Sequence, residues 1–240
     1  MKRIIIIVIT WLAILPAMAQ QTVINDPNAV LRDVKGFHGV NVSNAVDVYL
    51  SAGNQETVAV SAADVKWRDR IRTEVKDGIL HIWLEKENWL KWGERNRKLR
   101  VYVSFTALDQ VTGSGATNIY VDGVIQSNSL DISLAGASDF KGTIKAGRLQ
   151  LNLSGASDAR IVGTVEGVTT VHSAGASDLK GYDLVTDTCN ANASGASDIR
   201  ITVNKELNVH ASGASGIYYK GAAVIRELHS SGASSVSKKS

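Results

Sequence analysis

The residues of this chain with the clearest chemical potential recur in rows. Asp139, Asp158, Asp178 and Asp198 each close a short phrase of the form Ser/Ala-Gly-Ala-Ser-Asp. An evenly spaced row of carboxylates is what a hard cation such as calcium requires. Two residues further on stand Lys141, Arg160, Lys180 and Arg200, and in an extended chain residues two apart share a face. Three residues before each phrase's glycine come Ser133, Asn152, His172, Asn192, His210 and His229, a row whose imidazoles could take zinc. A separate stretch, Glu85 to Lys98, mixes Trp89 and Trp92 with Lys91, Arg95, Arg97 and Lys98. Trp and Arg are enriched at binding hot spots, so this stretch reads as a contact patch for glycan, lipid headgroup or a partner.

Each feature also has a simpler explanation. Carboxylates about 5 Å apart repel by roughly 0.8 kcal/mol per pair in water. The parallel basic row offsets most of that, so a structural ladder is preferred to a cation site at Asp139, Asp158, Asp178 and Asp198. Calcium-binding solenoids also use a Gly- and Asp-rich nonapeptide that is absent here. A zinc site at His210 and His229 needs a third protein ligand, and none is named by the sequence. The tryptophans of the 85–98 stretch could pack back on a sheet from a long hairpin tip. The binding candidates are therefore Trp89, Lys91, Trp92, Arg95, Arg97, His172, Asn192, His210 and His229. No catalytic residue and no cofactor are assigned.

The elements that must position these rows follow from the repeat. The phrase occurs seven times, with glycines at 115, 136, 155, 175, 195, 213 and 232, and the intervals are 21, 19, 20, 20, 18 and 19 residues. A period near 20 marks a solenoid. Four residues before glycine the column is Val111, Ile132, Leu151, Val171, Ala191, Val209 and Leu228, all apolar and therefore inward. The column four after glycine, from Ile119 to Val236, also faces in. Two before glycine, Leu134 and Leu153 give way to Ser173, Ala193, Ala211 and Ser230, so the interior tapers. The alanine after every glycine reads as filler of a narrow interior corner. Cys189 shares a register with Leu130, Leu149 and Leu207, which makes it a buried apolar filler. These columns predict an all-β, single-stranded parallel β-helix of about seven coils over 111–240, right-handed by the default of crossover connections.

Residues 30–110 lack the repeat and predict a small, mainly β N-terminal unit that covers the first coil. Alternation around Val40, Val42, Val46 and Val48 breaks at Ser43-Asn44-Ala45. Asp64 to Arg72 allows one or two helical turns, with Val65, Arg68 and Ile71 on one face. Asp77-Gly78 between alternating runs predicts a hairpin. Residues 1–19 read as a signal peptide: Lys2 and Arg3, an apolar run from Ile4 to Leu15, then Ala17-Met18-Ala19. Removing Lys2 and Arg3 from 26 basic residues leaves 24 against 23 acidic ones, a balance that gives no ground for nucleic-acid binding. With one cysteine, an intramolecular disulfide is excluded.

The Ser-Gly-Ala-Ser-Asp phrases, the signal peptide and the segment Phe37-His38-Gly39-Val40 together resemble the secreted family labelled putative auto-transporter adhesin, head GIN domain. The resemblance covers residue 30 to the C-terminus. It implies a β-helical fold and an envelope or surface location in Gram-negative bacteria, and it supplies no catalytic residues. The chain ends at Ser-Lys-Lys-Ser directly after the last repeat, without the membrane barrel that self-transport requires, so self-transport by this chain alone is not expected. The expected protein is non-enzymatic, exported to the periplasm, outer-membrane surface or medium, without an integral membrane segment once mature. It binds glycan or a surface protein through the repetitive face. The alternatives are a polysaccharide-acting enzyme using Asp158 and Lys180, or a structural component, including a homo-oligomer.

Overall fold

The computed structural model describes residues 26–85 and 97–240. The chain is 68% strand and 2% helix, wound as a β-solenoid of about six turns. The leading strands are β1 (Val30–Arg32), β2 (Gly39–Val42), β3 (Asp47–Ala52) and β4 (Thr57–Ser61). A four-residue helix, α1 (Val65–Arg68), is followed by β5 (Ile71–Lys76), β6 (Ile79–Leu84) and β7 (Arg100–Phe105). The repeats supply β8 (Gln110–Gly115), β9 (Asn118–Gly136), β10 (Asp139–Leu153), β11 (Asp158–Ser173), β12 (Asp178–Ala193) and β13 (Asp198–Ala211). The last coil comprises β14 (Gly216–Lys220), β15 (Val224–Ser230) and β16 (Ser235–Lys238).

Coils stack in parallel and in register. Asp139 pairs with Asp158, Asp158 with Asp178, and Asp178 with Asp198. The inward columns behave as their chemistry requires: Ile119, Phe140, Ala159, Leu179, Ile199 and Ile217 are all buried. Coil length varies from 18 to 21 residues without losing this alignment, because register shifts after Lys141, Arg160 and Gly181 absorb the extra residues away from the corner. Leu228 keeps its column, opposite Val209, but is 54% exposed because it lies on the last coil.

The corner differs from its sequence reading. The alanines Ala137, Ala156, Ala176 and Ala196 are exposed, not interior. What they contribute inward is backbone: the N–H of each donates to the carbonyl of the preceding coil's glycine at 2.6–2.7 Å. The small buried residue is the next one, Thr117, Ser138, Ser157, Ser177, Ser197 or Ser215. Its hydroxyl donates to the carbonyl three residues earlier at 2.8–3.0 Å. A buried hydroxyl must find an acceptor, and this one closes the turn while finding it. The glycines have φ between +71° and +87°, and a Cβ on Gly175 would sit 2.5 Å from the Gly155 carbonyl oxygen.

The corner also occurs once where no repeat was read. Ser43-Asn44-Ala45-Val46-Asp47 links β2 to β3, and Asn44 and Ala45 have φ of 65° and 62°. Asn tolerates this region, and Val46, fully buried, takes the place of the serine. β2 and β3 pair in parallel with β8 and β9, and on their other side with β6 and β7. The rung beneath β2–β3 is thus built from strands later in sequence, and the 85–98 stretch lies in the connection between them. Antiparallel β5 pairs with β6, and β4 and β1 extend from β7. The hairpin at Asp77-Gly78 forms with φ of 52° and 75°, values of a type I′ turn. In α1 it is Trp67 that is buried, while Val65 is 57% exposed.

Gly175→Ala combines a left-handed backbone with a clash against main chain, and should cost roughly 2–3 kcal/mol or more. Ala176→Ser, one residue on but outside, should stay within about 0.5 kcal/mol of the parent. Denaturant unfolding of the two variants checks this contrast.

Candidate binding surface

Two outward faces flank the corner, and strand register builds each of them. On the face after the corner, one row runs Tyr102, Tyr49, Tyr120, Lys141, Arg160, Lys180, Arg200 and Tyr218. The three leading tyrosines stack, with ring centroids 5.3 Å and 5.2 Å apart. Beside them runs Asp47, Asn118, Asp139, Asp158, Asp178 and Asp198; Asn118 Nδ2 donates to Asp47 at 2.7 Å.

The basic row neutralises the acidic row unevenly. Lys180 reaches back one coil to Asp158. Arg200 bonds Asp198 on its own strand at 2.6 Å and lies 3.7 Å from Asp178. Asp178 also accepts the backbone N–H of Asp198 at 3.2 Å. Lys141 and Arg160 are exposed and form no ion pair among the described residues. The carboxylates at 158, 178 and 198 are therefore engaged by side chains and backbone, as a structural ladder requires.

The tyrosine end is held by Asp26, which accepts from the Tyr102 hydroxyl at 2.9 Å and lies 3.9 Å from Arg100. Burial by itself would raise the Asp26 carboxyl, yet hydrogen bonds from Ser61, the Asn28 N–H and Tyr102, with the Arg100 charge, leave it below its ordinary value of 3.8. Burial, then the bond to Asp26, pushes the Tyr102 phenol up.

The face before the corner carries Thr112, Ser133, Asn152, His172, Asn192, His210 and His229 in one row. It borders a shallow groove of about 700 Å³ lined by His172, Asn192, His210, His229 and the serines and alanines of the corners. The imidazoles of His210 and His229 stack 4.7 Å apart. A second groove, of about 620 Å³, contains His38, whose Nδ1 lies 2.8 Å from Asp109, together with Ser127, Ser129, Lys145 and Glu166. This His–Asp pair was not foreseen, although His38 belongs to the Phe37-His38-Gly39-Val40 segment. The Ser127 hydroxyl donates instead to the Ser129 carbonyl.

The remaining candidates separate. His172 and Asn192 share the groove with His210 and His229. Arg97 lies elsewhere, stacked 4.3 Å over the Trp67 ring, with Arg70 5.0 Å from the same ring. Trp89, Lys91, Trp92 and Arg95 lie outside the described residues, as does the expected signal peptide at 1–19. Cys189 is fully buried and its thiol is pushed up to about 12 by burial, as expected of a core filler.

Stacked coils with open polar faces define a β-solenoid scaffold. The chain belongs to the family described as "Putative auto-transporter adhesin, head GIN domain", whose pattern matches residues 36–223. Solved structures agree on the fold. A putative adhesin from Bacteroides fragilis superimposes with a TM-score of 0.78 at 18% identity, over 89% of this chain and 98% of its own. A putative adhesin from Parabacteroides merdae gives 0.65 at 14% identity, covering 88% and 95%. A protein from Parabacteroides distasonis described as a putative lipid binding protein gives 0.63 at 18%, covering 90% and 98%. Comparison with curated proteins gives no match. The family's description points to a non-enzymatic binding role. No helix among the described residues is long and apolar enough to cross a membrane.

Two outcomes follow. The folded chain should not react with a thiol reagent at pH 8, and should release one equivalent of thiol once unfolded. Asp26 stabilises the fold above its unfolded-state pKa, and that contribution is lost as pH falls through the lowered folded value. Asp26→Asn should therefore flatten the fall in stability below about pH 4, as read by acid titration of the unfolding midpoint.

Proposed function

We propose that this is an exported, non-enzymatic, adhesin-like protein that binds an acidic glycan along the face after the corner. The observation that carries the reading is the row from Tyr102 to Arg160. Three stacked tyrosines lead directly into Lys141 and Arg160, two exposed cations that form no ion pair among the described residues. The row consists of phenols and cations on a polar ladder, with no aliphatic side chain in it. A glycan with carboxylates or sulfates repeating along its length matches a surface whose rungs recur about every 4.8 Å. Support for the class comes from the family's description, and support for export from the first 19 residues.

The alternatives weighed from sequence have less behind them. A polysaccharide-acting enzyme would use Asp158 and Lys180, which instead bond each other within the ladder. An assembly role would place a second copy against the open last coil, and the oligomeric state in solution reads that directly.

The experiment is a glycan array followed by affinity measurement on the untagged exported chain. Acidic glycans should bind and neutral ones should not, with affinity falling as salt rises. Lys141→Ala combined with Arg160→Ala should weaken binding roughly tenfold, about 1.4 kcal/mol, and leave unfolding unchanged. An array without acidic hits, or affinity indifferent to the double variant, would sink the proposal.

A further inference from the structure

The sequence offered two histidines in adjacent coils and no third ligand. The structure supplies one. β15 pairs with β13 through a register shift: Leu207 stands opposite Ile225, but Asn208 stands opposite Glu227. Arg226 is the extra residue. Without this bulge Asn208 would face Arg226. With it, Glu227 stands opposite Asn208 in the neighbouring outward row, and two residues before His229 it lies on the same face.

The three side chains converge. Glu227 Oε1 lies 3.3 Å from His229 Nδ1 and 3.7 Å from His210 Nε2, and the three donor atoms all fall within 4.8 Å of one another. Donors about 3.3 Å apart are what a tetrahedral ion with bonds of about 2.0–2.1 Å requires. Two of the spacings are near that already, and exposed imidazoles can rotate to reach the third. The guanidinium of the adjacent Arg226 is drawn to Glu206 at 3.0 Å. The groove beside the histidines leaves one side of the cluster open to solvent.

We propose that His210, Glu227 and His229 bind a zinc ion, with a fourth position open to water in the groove. Two imidazoles and a carboxylate are a borderline donor set that favours zinc over calcium or magnesium, which take oxygen. The site is independent of the tyrosine and cation row, which lies on the other face.

The test uses the untagged exported chain titrated with zinc chloride against a chromophoric chelator, and with cobalt(II) as a spectroscopic probe. One equivalent of zinc should bind, cobalt should show the visible bands of a four-coordinate site, and zinc should raise the thermal midpoint. His210→Ala, His229→Ala and Glu227→Gln should each weaken zinc binding by roughly tenfold or more and abolish the midpoint shift. All three residues are exposed, and unchanged far-UV circular dichroism would confirm that the variants fold. His172→Ala and His38→Ala should leave binding intact. Absence of stoichiometric binding, loss of binding in His38→Ala, or full affinity in Glu227→Gln would each overturn the assignment.

Discussion

The fold rests on the contact between the backbones of successive corners. From Ala137 onward, each corner alanine N–H meets the glycine carbonyl one coil below at 2.6–2.8 Å. Nothing larger than hydrogen fits on the glycine in that arrangement. The contact sets the vertical spacing at the one point where every coil must bend the same way. Alignment of the rows then follows, since residues at equal offsets from the glycine are brought into register. Bulges absorb differences in coil length elsewhere. Both outward faces, with their tyrosine, cation and imidazole rows, inherit their geometry from this junction.

Much of this could be read directly from the repeat. Period-2 alternation on either side of the glycine identified the inward columns, and Cys189 fell among leucines for that reason. The alanine column was misassigned because invariance and small size have two causes at a corner. One is a cramped interior and the other is a crowded backbone, and only coordinates distinguish them. The buried serine was hidden by its polarity. Its hydroxyl is satisfied by a carbonyl three residues earlier, a local bond that period counting does not reveal. Glu227 was legible too, five residues before Gly232 and two before His229 on one face, but only the row three before glycine was searched for ligands. The degenerate corner at 43–47 was legible in principle, with Asn in place of Gly and Val in place of Ser, but two substitutions concealed it.

The two outward faces are chemically distinct although one repeat builds both. After the corner, charge dominates: Lys180 and Arg200 are ion-paired with Asp158, Asp178 and Asp198, whereas Lys141 and Arg160 form no ion pair among the described residues. Before the corner, the row consists of hydroxyl, amide and imidazole side chains, with Glu227 in the row beside it, opposite Asn208. A repeat that is uniform at its turn can therefore carry different recognition chemistry along its length. The turn residues are constrained by backbone approach, whereas the outward positions answer only to solvent and to their neighbours one rung away.

The order of the rungs bears on how the molecule is made. β2 and β3 precede all four strands that flank them, yet their rung lies between β6–β7 and β8–β9. A chain emerging N-terminus first presents this rung with both ladder edges bare. Neither edge can close until the chain has passed the hairpin on one side and the first glycine corner on the other. Winding therefore grows outward in two directions from an interior seed. The parallel partners of that seed are separated from it by tens of residues, the kind of long-range closure that slows folding. Until closure, the unpaired strands are exposed to association with other chains. The antiparallel hairpin of β5 and β6 closes locally through its two-residue turn, so it can deliver the lower partner as a preformed unit.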